Sequence, residues 1–375
     1  MRMTGVNRGR AEGSAAKRNF SFRKWSRGRS LWRGAANAAT LGLLAFSAMA
    51  QGPGQAAVTG QLHIYFIDVE GGQSTLFVTP DHHSLLIDTG WPGNGGRDAY
   101  RIAQAAKKAG ISKIDFVLLT HYHVDHTGGV PQLLEKIPVG TFIDHGPNRE
   151  PKDGPTEAAY EGYQKVLATG KYEHITAKVG DFLPIPWLKV KVVSADGVLI
   201  DKALHSGGQP NPYCESTEVR PADQTENARS IGVKIAFGKI RILDLGDLTW
   251  DKERPLVCPN NLLGRVDLLV VSHHGWNQSS SPALVDVIHP RVAVMDNGAK
   301  KGGSTPTVKT IREIPGLAAE YQLHYSEEAG AGNPPAQYIA NLQGPDTGYG
   351  IEVTADADGT LTVTNERTGA VQNYR

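Results

Sequence analysis

Cysteine is scarce in this sequence. Cys214 and Cys258 are the only two in 375 residues, and no C-x-x-C pair occurs. Both lie far from the histidine-rich stretch near residue 120, which argues against a metal site built on thiolates. The two thiols could form one disulfide, which would suit an exported protein, or they could remain free.

An excess of charge of one sign is also lacking. Lysine and arginine number 39, aspartate and glutamate number 38, and the net charge is +1. Basic residues are concentrated in the first 33 residues, which contain a single acid, Glu12, so the rest of the chain is mildly acidic. We therefore predict no clear nucleic-acid-binding surface on the body of the protein.

A hydrophobic run long enough to span a membrane is missing as well. Residues 35–50 are apolar but short and rich in alanine; they follow the basic segment and end in Ala48-Met49-Ala50. This arrangement predicts a secretory signal peptide at residues 1–50, cleaved after Ala50, with an uncleaved anchor as the alternative. Residues 51–60 would be a linker and residues 61–375 one domain. We expect a mature protein without a membrane span, periplasmic or secreted.

The sequence does contain a concentration of metal-ligand side chains in residues 120–129, THYHVDHTGG. The ligand candidates in this stretch are His121, His123, Asp125 and His126. An apolar run directly before it predicts a buried strand, so the stretch is a turn at a strand end. Imidazole and carboxylate together are the ligands that zinc and similar divalent metals prefer. The turn therefore predicts a metal site.

Other predicted strands end in polar residues of the same kinds. These strand-end residues are Asp88, Asp247, His273 and His274. The order of elements repeats, with a meander followed by strand, helix, strand and helix, which indicates two similar halves. We predict an α/β (α+β) fold, a four-layer αβ/βα sandwich with the metal site along one edge. A glycine- and proline-rich loop at residues 206–225 and a closing hairpin at residues 350–364 complete the prediction.

Four segments resemble the signature of the metallo-β-lactamase superfamily. They are Ile87-Asp88-Thr89-Gly90, residues 120–129, Leu245-Gly246-Asp247 and His273-His274-Gly275. The resemblance covers residues 62–314; it is specific for the superfamily and weak for the substrate. Within the superfamily, residues 68–74, 227–230 and 271–275 are similar to the hydrolase domain of the ComEC competence proteins.

This resemblance implies a centre with one or two divalent metal ions, Zn²⁺ first, with Mn²⁺ or Fe as alternatives. The implied ligands are His121 and His123 for a first metal, Asp125, His126 and His274 for a second, and Asp247 as the bridge. The alternative is that His273, rather than His274, binds the metal. Asp88 would orient the cluster without binding metal, unless it is an ordinary turn residue.

One position departs from the superfamily pattern. Many members have another histidine before the hairpin that leads to Asp247, where this chain has Asn227. His145, at the end of its own predicted strand, could supply the missing ligand or could be an ordinary loop histidine. The sequence therefore allows either a one-metal or a two-metal centre.

Together with the predicted signal peptide, the resemblance implies an exported metal-dependent hydrolase. A metal-activated water would attack a phosphoester-type bond, as in a phosphodiesterase or nuclease. Asp125 could orient the water or accept its proton, and His273 or Asn297 could stabilise the developing oxyanion. The alternative substrates are a lactam, a lactone or a thioester, and the alternative of another class is a non-catalytic metal-binding envelope protein. The sequence indicates no oligomeric state.

Overall fold

The structure is a computed structural model, and it describes residues 60–375. The predicted signal peptide, residues 1–50, and the predicted linker up to residue 59 lie outside the described residues. Within the described part of the chain, no helix combines the length and the apolar character needed to cross a lipid bilayer.

Residues 60–375 form twenty strands and seven α-helices. The strands are β1 Gln61–Phe66, β2 Thr75–Val78, β3 Ser84–Ile87, β4 Ile114–Leu118, β5 Val139–Asp144, β6 Glu173–Thr176, β7 Phe182–Leu183, β8 Lys189–Ala195, β9 Val198–Leu199, β10 Gln209–Pro210, β11 Gly232–Phe237, β12 Ile240–Asp244, β13 Asn260–Asn261, β14 Leu268–Val271, β15 Val292–Met295, β16 Ala319–His324, β17 Ile339–Asn341, β18 Ile351–Asp356, β19 Leu361–Asn365 and β20 Ala370–Tyr374. The helices are α1 Arg97–Lys108, α2 Val124–Thr127, α3 Val130–Leu134, α4 Gly154–Leu167, α5 Trp250–Val257, α6 Pro282–Ile288 and α7 Thr305–Arg312.

Two large sheets contain nearly all of these strands. The strand order is β20-β19-β18-β1-β2-β3-β4-β5-β6 in the first sheet and β17-β16-β15-β14-β12-β11-β8-β7 in the second, where β9 also pairs with β8. In both sheets, antiparallel strands lead into a parallel run, from β3 to β6 in the first and from β12 to β17 in the second. Parallel neighbours bring their carboxyl ends to the same edge, which is where the predicted site residues follow the strands.

Three hydrophobic cores separate the four layers. The central core contains residues of both sheets, such as Ile64 and Val353 from the first and Ile235 and Val294 from the second. A second core packs α1, α3 and α4 against the first sheet, and a third packs α5, α6 and α7 against the second. The resulting order of helix, sheet, sheet and helix confirms the predicted αβ/βα sandwich.

The first sheet differs from the prediction in its C-terminal strands. The predicted C-terminal hairpin is present as β18 and β19, but β18 pairs antiparallel with β1, and a further strand, β20, follows. The first sheet therefore contains both ends of the described chain.

Helix α5 and strand β16 are further differences. Helix α5 contains Pro255, and β16 carries the buried polar residues Glu320 and Gln322. Because neither segment shows the usual apolar pattern of its element, neither was predicted.

The predicted loop at residues 206–225 is confirmed, apart from the two-residue strand β10. Its Cys214 is bonded to Cys258, directly after α5. Of the two alternatives for the cysteines, the structure therefore shows the disulfide.

Candidate metal centre

The first half of the centre lies directly after β4. The chain leaves this strand at Leu118 and passes through Thr120 into the short helix α2. Asp88, at the end of the parallel neighbour β3, accepts hydrogen bonds from the Thr120 backbone N–H at 2.8 Å and from the Thr120 hydroxyl at 2.7 Å. These bonds fix the start of the turn that carries the histidine-rich stretch.

The second half supplies Asp247 after β12 and two histidines after β14. Gly246 has a φ of 55°, and a Cβ there would lie 2.8 Å from the Cβ of Thr120, so glycine permits this close approach of the two turns. His273 and His274 also have positive φ values, 57° and 53°, a conformation that is uncommon for histidine and that is found at functional sites.

Six side chains from the two halves form two groups, and the ligand atoms of each group lie within 4.8 Å of one another. The groups are His121, His123 and Asp247, and Asp125, His126 and His274. Asp247 lies between them, because its Oδ2 is 3.8 Å from His121 Nε2 and 3.2 Å from His126 Nε2. The structure thus brings together the six side chains predicted as ligands, with His274 in the second group.

The residues of both groups fit divalent metal ions. His126 Nε2 and His274 Nε2 face each other at 3.1 Å, and His274 Nε2 is 3.1 Å from Asp125 Oδ2. The buried atoms His121 Nε2 and Asp247 Oδ1 have no hydrogen-bond partner among the described residues. An unsatisfied buried polar atom costs about 1–3 kcal/mol, and a cation bound by this set of nitrogen and oxygen atoms would satisfy both.

Burial and mutual contact control the protonation of the ligands. Burial lowers the pKa of His121 well below its usual value, so the ring is neutral, as a metal ligand must be. Burial by itself would raise the pKa of Asp247, but the facing histidines, His126 first among them, hold this pKa well below its usual range. Burial by itself would lower the pKa of His126, but the carboxylates of Asp247, Asp125 and Asp88 raise this pKa well above its usual value, so a metal ion would have to displace the proton of this ring.

Neighbouring side chains occupy the second ring nitrogen of three histidines. His126 Nδ1 is 2.7 Å from Asp88 Oδ2, His121 Nδ1 is 3.0 Å from Thr120 Oγ1, and His123 Nε2 is 3.1 Å from Glu150 Oε2. A metal-binding histidine usually has its other nitrogen held in this way. The nitrogens left to face the centre are Nε2 of His126 and His121 and Nδ1 of His123. Asp88 contacts a histidine of the cluster, which is the contact that an orienting acid would make.

The structure does not bring His145 into either group. Its Nε2 bonds to Glu226 Oε2 at 2.9 Å, behind the turn that carries His123. Asn227 lies at the rim instead, where its amide nitrogen is 3.5 Å from His273 Nε2 and its buried Oδ1 has no hydrogen-bond partner among the described residues. His145 is therefore a side chain held by a buried acid, and the alternative that it supplies the missing ligand is not supported.

His273 and Asn297, the two residues predicted to stabilise an oxyanion, differ in placement. His273 Nε2 is 3.4 Å from Asp247 Oδ2, at the edge of the centre, and burial lowers the pKa of this ring to about 4. The amide of Asn297 instead donates to the carbonyls of His324 at 2.7 Å and Gly298 at 3.1 Å. Because these bonds occupy both amide hydrogens, Asn297 has no free amide N–H in this structure, and its oxyanion role stays a prediction without support from the geometry.

Three site residues were missed by the reasoning from sequence. Glu150 contacts His123, Glu226 accepts hydrogen bonds from the backbones of Tyr122 and Arg149, and Lys301 contacts Asp125. Glu150 lies in an irregular segment and Glu226 begins a short 3-10 helix, and neither position has a distinguishing sequence pattern. Lys301 did have a signal, because it lies in a glycine-rich turn that follows the end of β15 at the edge shared by the other site residues.

Comparison with known protein families agrees with this geometry. Residues 68–208 match the family described as the metallo-beta-lactamase superfamily, and the matched part includes Asp88 and the histidine-rich stretch. Residues 68–208 are a metallo-β-lactamase superfamily domain. Proteins of this superfamily are generally metal-dependent hydrolases, and this chain has two groups of residues able to hold divalent metal.

Curated relatives within the superfamily confirm the similarity to ComEC at modest identity. The chain is 27% identical over 242 residues to Competence protein ComA of Neisseria gonorrhoeae, covering 64% of this chain and 28% of that protein. It is 26% identical over 268 residues to ComE operon protein 3 of Bacillus subtilis, covering 66% of this chain and 30% of that protein. The chain thus spans less than a third of the length of these relatives.

The chain also has a shorter match to a curated protein and a likeness to a solved structure. Atrochrysone carboxyl ACP thioesterase of Aspergillus fumigatus is 40% identical over 109 residues, 28% of this chain and 25% of that protein. The metallo-beta-lactamase fold protein YhfI of Bacillus subtilis superposes with a TM-score of 0.43 at 14% identity, covering 70% of this chain and 95% of that chain.

Proposed function

We propose that the protein is an exported hydrolase of a phosphoester-type bond, a phosphodiesterase by preference, with Zn²⁺ as its metal. The observation that carries the proposal is the placement of Asp247, whose Oδ2 faces histidines of both groups. A carboxylate in this position can join two metal sites into one centre. Paired divalent ions suit phosphoester hydrolysis because together they acidify an attacking water and stabilise the attacking and leaving oxygens.

The side chains of this protein would act around the bound substrate in two ways. Asp125, whose Oδ2 lies 3.1 Å from His274 Nε2, would orient the attacking water and accept its proton. His273, at the rim beside Asp247, would donate a ring N–H to the oxygen on which negative charge develops. Asp125 and His273 both lie in turns at strand ends, so their side chains need to move little when the substrate reacts.

The relatives support a phosphoester substrate. The matches to a competence protein and to a ComE operon protein cover 64% and 66% of the chain, whereas the thioesterase match covers 28%. Competence concerns nucleic acids, whose linkages are phosphodiesters. The nearly balanced charge of the chain, 39 basic and 38 acidic residues, favours a small phosphoester over long DNA.

A thioester or lactone substrate is the second candidate. Its support is the 40% identity to a carboxyl ACP thioesterase over 109 residues. The reactions share a metal-activated water and differ in the electrophile, so substrate profiling separates them. The signal peptide proposed for residues 1–50 would export either enzyme, and the mature N-terminus, read by mass spectrometry from periplasm and culture medium, tests that point.

The decisive experiment measures metal content and hydrolysis on the same preparation. We expect two zinc ions per chain by mass spectrometry and turnover of bis(p-nitrophenyl) phosphate that exceeds turnover of nitrocefin, an acyl-lactone and a thioester. In Asp247→Asn and Asp125→Asn, turnover should fall at least about a hundredfold, since each change removes an ionised ligand. The exposed acid Asp201 provides the control variant, Asp201→Asn, which should retain full turnover.

Two outcomes would contradict the proposal. Faster turnover of the thioester than of the phosphodiester would favour the second candidate. Full metal occupancy without turnover of any of the four substrates would favour a non-catalytic metal-binding protein of the cell envelope.

A further inference from the structure

The ammonium group of Lys301 lies against the candidate metal centre. It contacts the Asp125 carboxylate, bonds to the Gly71 carbonyl at 2.8 Å, and lies 5.1 Å from the centre of the Trp91 ring. The side chain is 29% exposed, so it connects the buried carboxylate with solvent. Among the described residues, no other lysine or arginine forms an ion pair with a member of the two ligand groups.

The turn at residues 68–74 holds this lysine in place. A Cβ on Gly71 would lie 2.9 Å from the Lys301 Cβ, and a Cβ on Gly72 would lie 2.5 Å from the Asp125 carbonyl oxygen. The backbone N–H of Gln73 also donates to that carbonyl at 3.2 Å. The turn is therefore packed between the lysine and the aspartate, which explains its two consecutive glycines and limits the freedom of the ammonium group.

The charge of Lys301 has opposite effects on two kinds of ligand. An ammonium group at the Asp125 carboxylate competes with a divalent cation for the same oxygen and so weakens metal binding there. An anion that approaches the centre is attracted by the ammonium group as well as by the metal ions. The side chain therefore favours an anionic substrate over a neutral one.

We propose that Lys301 is the anion-binding residue of this site, where its ammonium group donates a hydrogen bond to a non-bridging phosphoryl oxygen of the substrate. The proposal rests on the proposed phosphoester hydrolysis and names the group that recognises its substrate. Lys301 carries no bond-making step; it orients the phosphoryl group over the centre and offsets part of its negative charge.

The test uses the metal-loaded full chain and three variants. Lys301→Met removes the ammonium group but keeps an unbranched stem against Trp91, and Lys301→Arg keeps the positive charge. Lys300→Met is the matched control, because Lys300 is the neighbouring exposed lysine. For each protein we would measure the binding of inorganic phosphate by calorimetry, the affinity for zinc by chelator competition, the thermal unfolding midpoint, and KM for bis(p-nitrophenyl) phosphate and for neutral p-nitrophenyl acetate.

We expect Lys301→Met to bind phosphate about tenfold more weakly, the effect of one lost charge-assisted hydrogen bond. The KM for the phosphodiester should rise by a similar factor while the KM for the neutral ester stays constant. Zinc affinity should not fall, whereas loss of a lysine that merely holds the site together would weaken zinc binding. Lys301→Arg should keep most of the phosphate affinity, and Lys300→Met should match the wild type.

Unchanged phosphate affinity in Lys301→Met, or an equal loss in Lys300→Met, would overturn the inference, and so would weaker zinc binding in Lys301→Met. Failure of this inference is distinguishable from failure of the proposed function. If the wild type does not hydrolyse the phosphodiester but binds phosphate through Lys301, the proposed reaction is wrong and the anion site stands. If the wild type hydrolyses the phosphodiester and Lys301→Met does so with the same KM, the anion site is wrong and the reaction stands.

Discussion

Residues outside the two ligand groups determine how the histidines present their nitrogens. Asp88 is fully buried and holds His126, whereas Glu150 has a side chain that is 25% exposed and holds His123 from the rim. The Glu150 carboxylate also accepts the Glu226 backbone N–H at 2.9 Å, so it is fixed on two sides. The first ligand group has Asn227 where many superfamily members have a further histidine. Its ligand His123 therefore depends on Glu150 to hold the ring in place.

Replacement of Glu150 tests this dependence. In Glu150→Ala, zinc affinity of the first group should fall about tenfold to a hundredfold, the usual effect of losing a carboxylate that orients a ligand histidine. Glu150→Gln keeps an acceptor oxygen and should lose less. Chelator competition and metal counts per chain measure both effects, with the exposed Glu161 on α4 as the control position (Glu161→Ala). If Glu150→Ala binds zinc as tightly as the wild type, Glu150 does not have the proposed orienting role.

A buried acid outside the two ligand groups makes stability depend on pH. Glu320 on β16 is 5% exposed; one of its oxygens bonds to Gln322 at 2.9 Å and the other has no hydrogen-bond partner among the described residues. Burial raises the pKa of this carboxyl group to about 7 from 4.5. In the unfolded chain the group ionises near pH 4.5, so the free energy of unfolding falls as pH rises from there to about 7.

The variant Glu320→Gln should remove this pH dependence. Above pH 8 it should unfold with a free energy higher than the wild type by up to about 3 kcal/mol, and below pH 4 the two should agree, because both proteins are then neutral at this position. Urea unfolding at pH 4, 6 and 8 measures the difference. A constant difference across these pH values would contradict the assignment to Glu320.

At the scale of elements, the disulfide ties the loop at residues 206–225 to the end of α5. Cys214 and Cys258 are 44 residues apart in sequence, and the short strands β10 and β13 pair beside them. The same loop leads to Glu226 and Asn227, which border the first ligand group. The crosslink therefore restrains a segment that helps to form the site.

Loss of the crosslink should destabilise the protein. The free energy of unfolding should fall by about 2–4 kcal/mol in the double variant Cys214→Ser/Cys258→Ser, since a crosslink over a loop of this length restricts the unfolded chain. Wild type treated with dithiothreitol should show the same loss by urea unfolding. The double variant should not respond to dithiothreitol, which controls for effects of the reagent.

At the scale of the whole molecule, the C-terminal strands complete the sheet that begins with β1. The buried residues that they contribute to the central core include Ile351, Val353, Leu361 and Val363. Each such side chain contributes about 1.5–3 kcal/mol when buried, and their sum approaches the total stability of a typical domain, about 5–15 kcal/mol. The sheet edge that carries the candidate metal centre therefore depends on residues that lie far beyond it in sequence.

Deletion of residues 351–375 should leave a chain that does not fold, although every candidate ligand is retained. Circular dichroism and zinc content would show loss of the cooperative transition and of bound metal. Deletion of residues 369–375 is the control, because it removes only β20, an edge strand with exposed residues such as Val371. A cooperative transition in the longer deletion would show that the first sheet does not need its C-terminal strands.

Local sequence determined much of this protein. Apolar runs that end in polar turns predicted the strands, and the spacing of His121, His123, Asp125 and His126 placed four candidate ligands on one turn, because neighbours in sequence must also be neighbours in space. Asp247 and His274 followed predicted strand ends, and the resemblance to a known family then assigned them as ligands. The four-layer architecture followed from the repeated order of elements.

The tertiary structure decided the contacts between residues that are distant in sequence. It pairs His145 with Glu226, occupies the Asn297 amide with backbone carbonyls, and brings Lys301 to Asp125 across 176 positions. It also joins β18 to β1 and forms the disulfide. Such contacts depend on how whole sheets and turns pack, and the packing energy is spread over many residues, so no short pattern in the sequence predicts them.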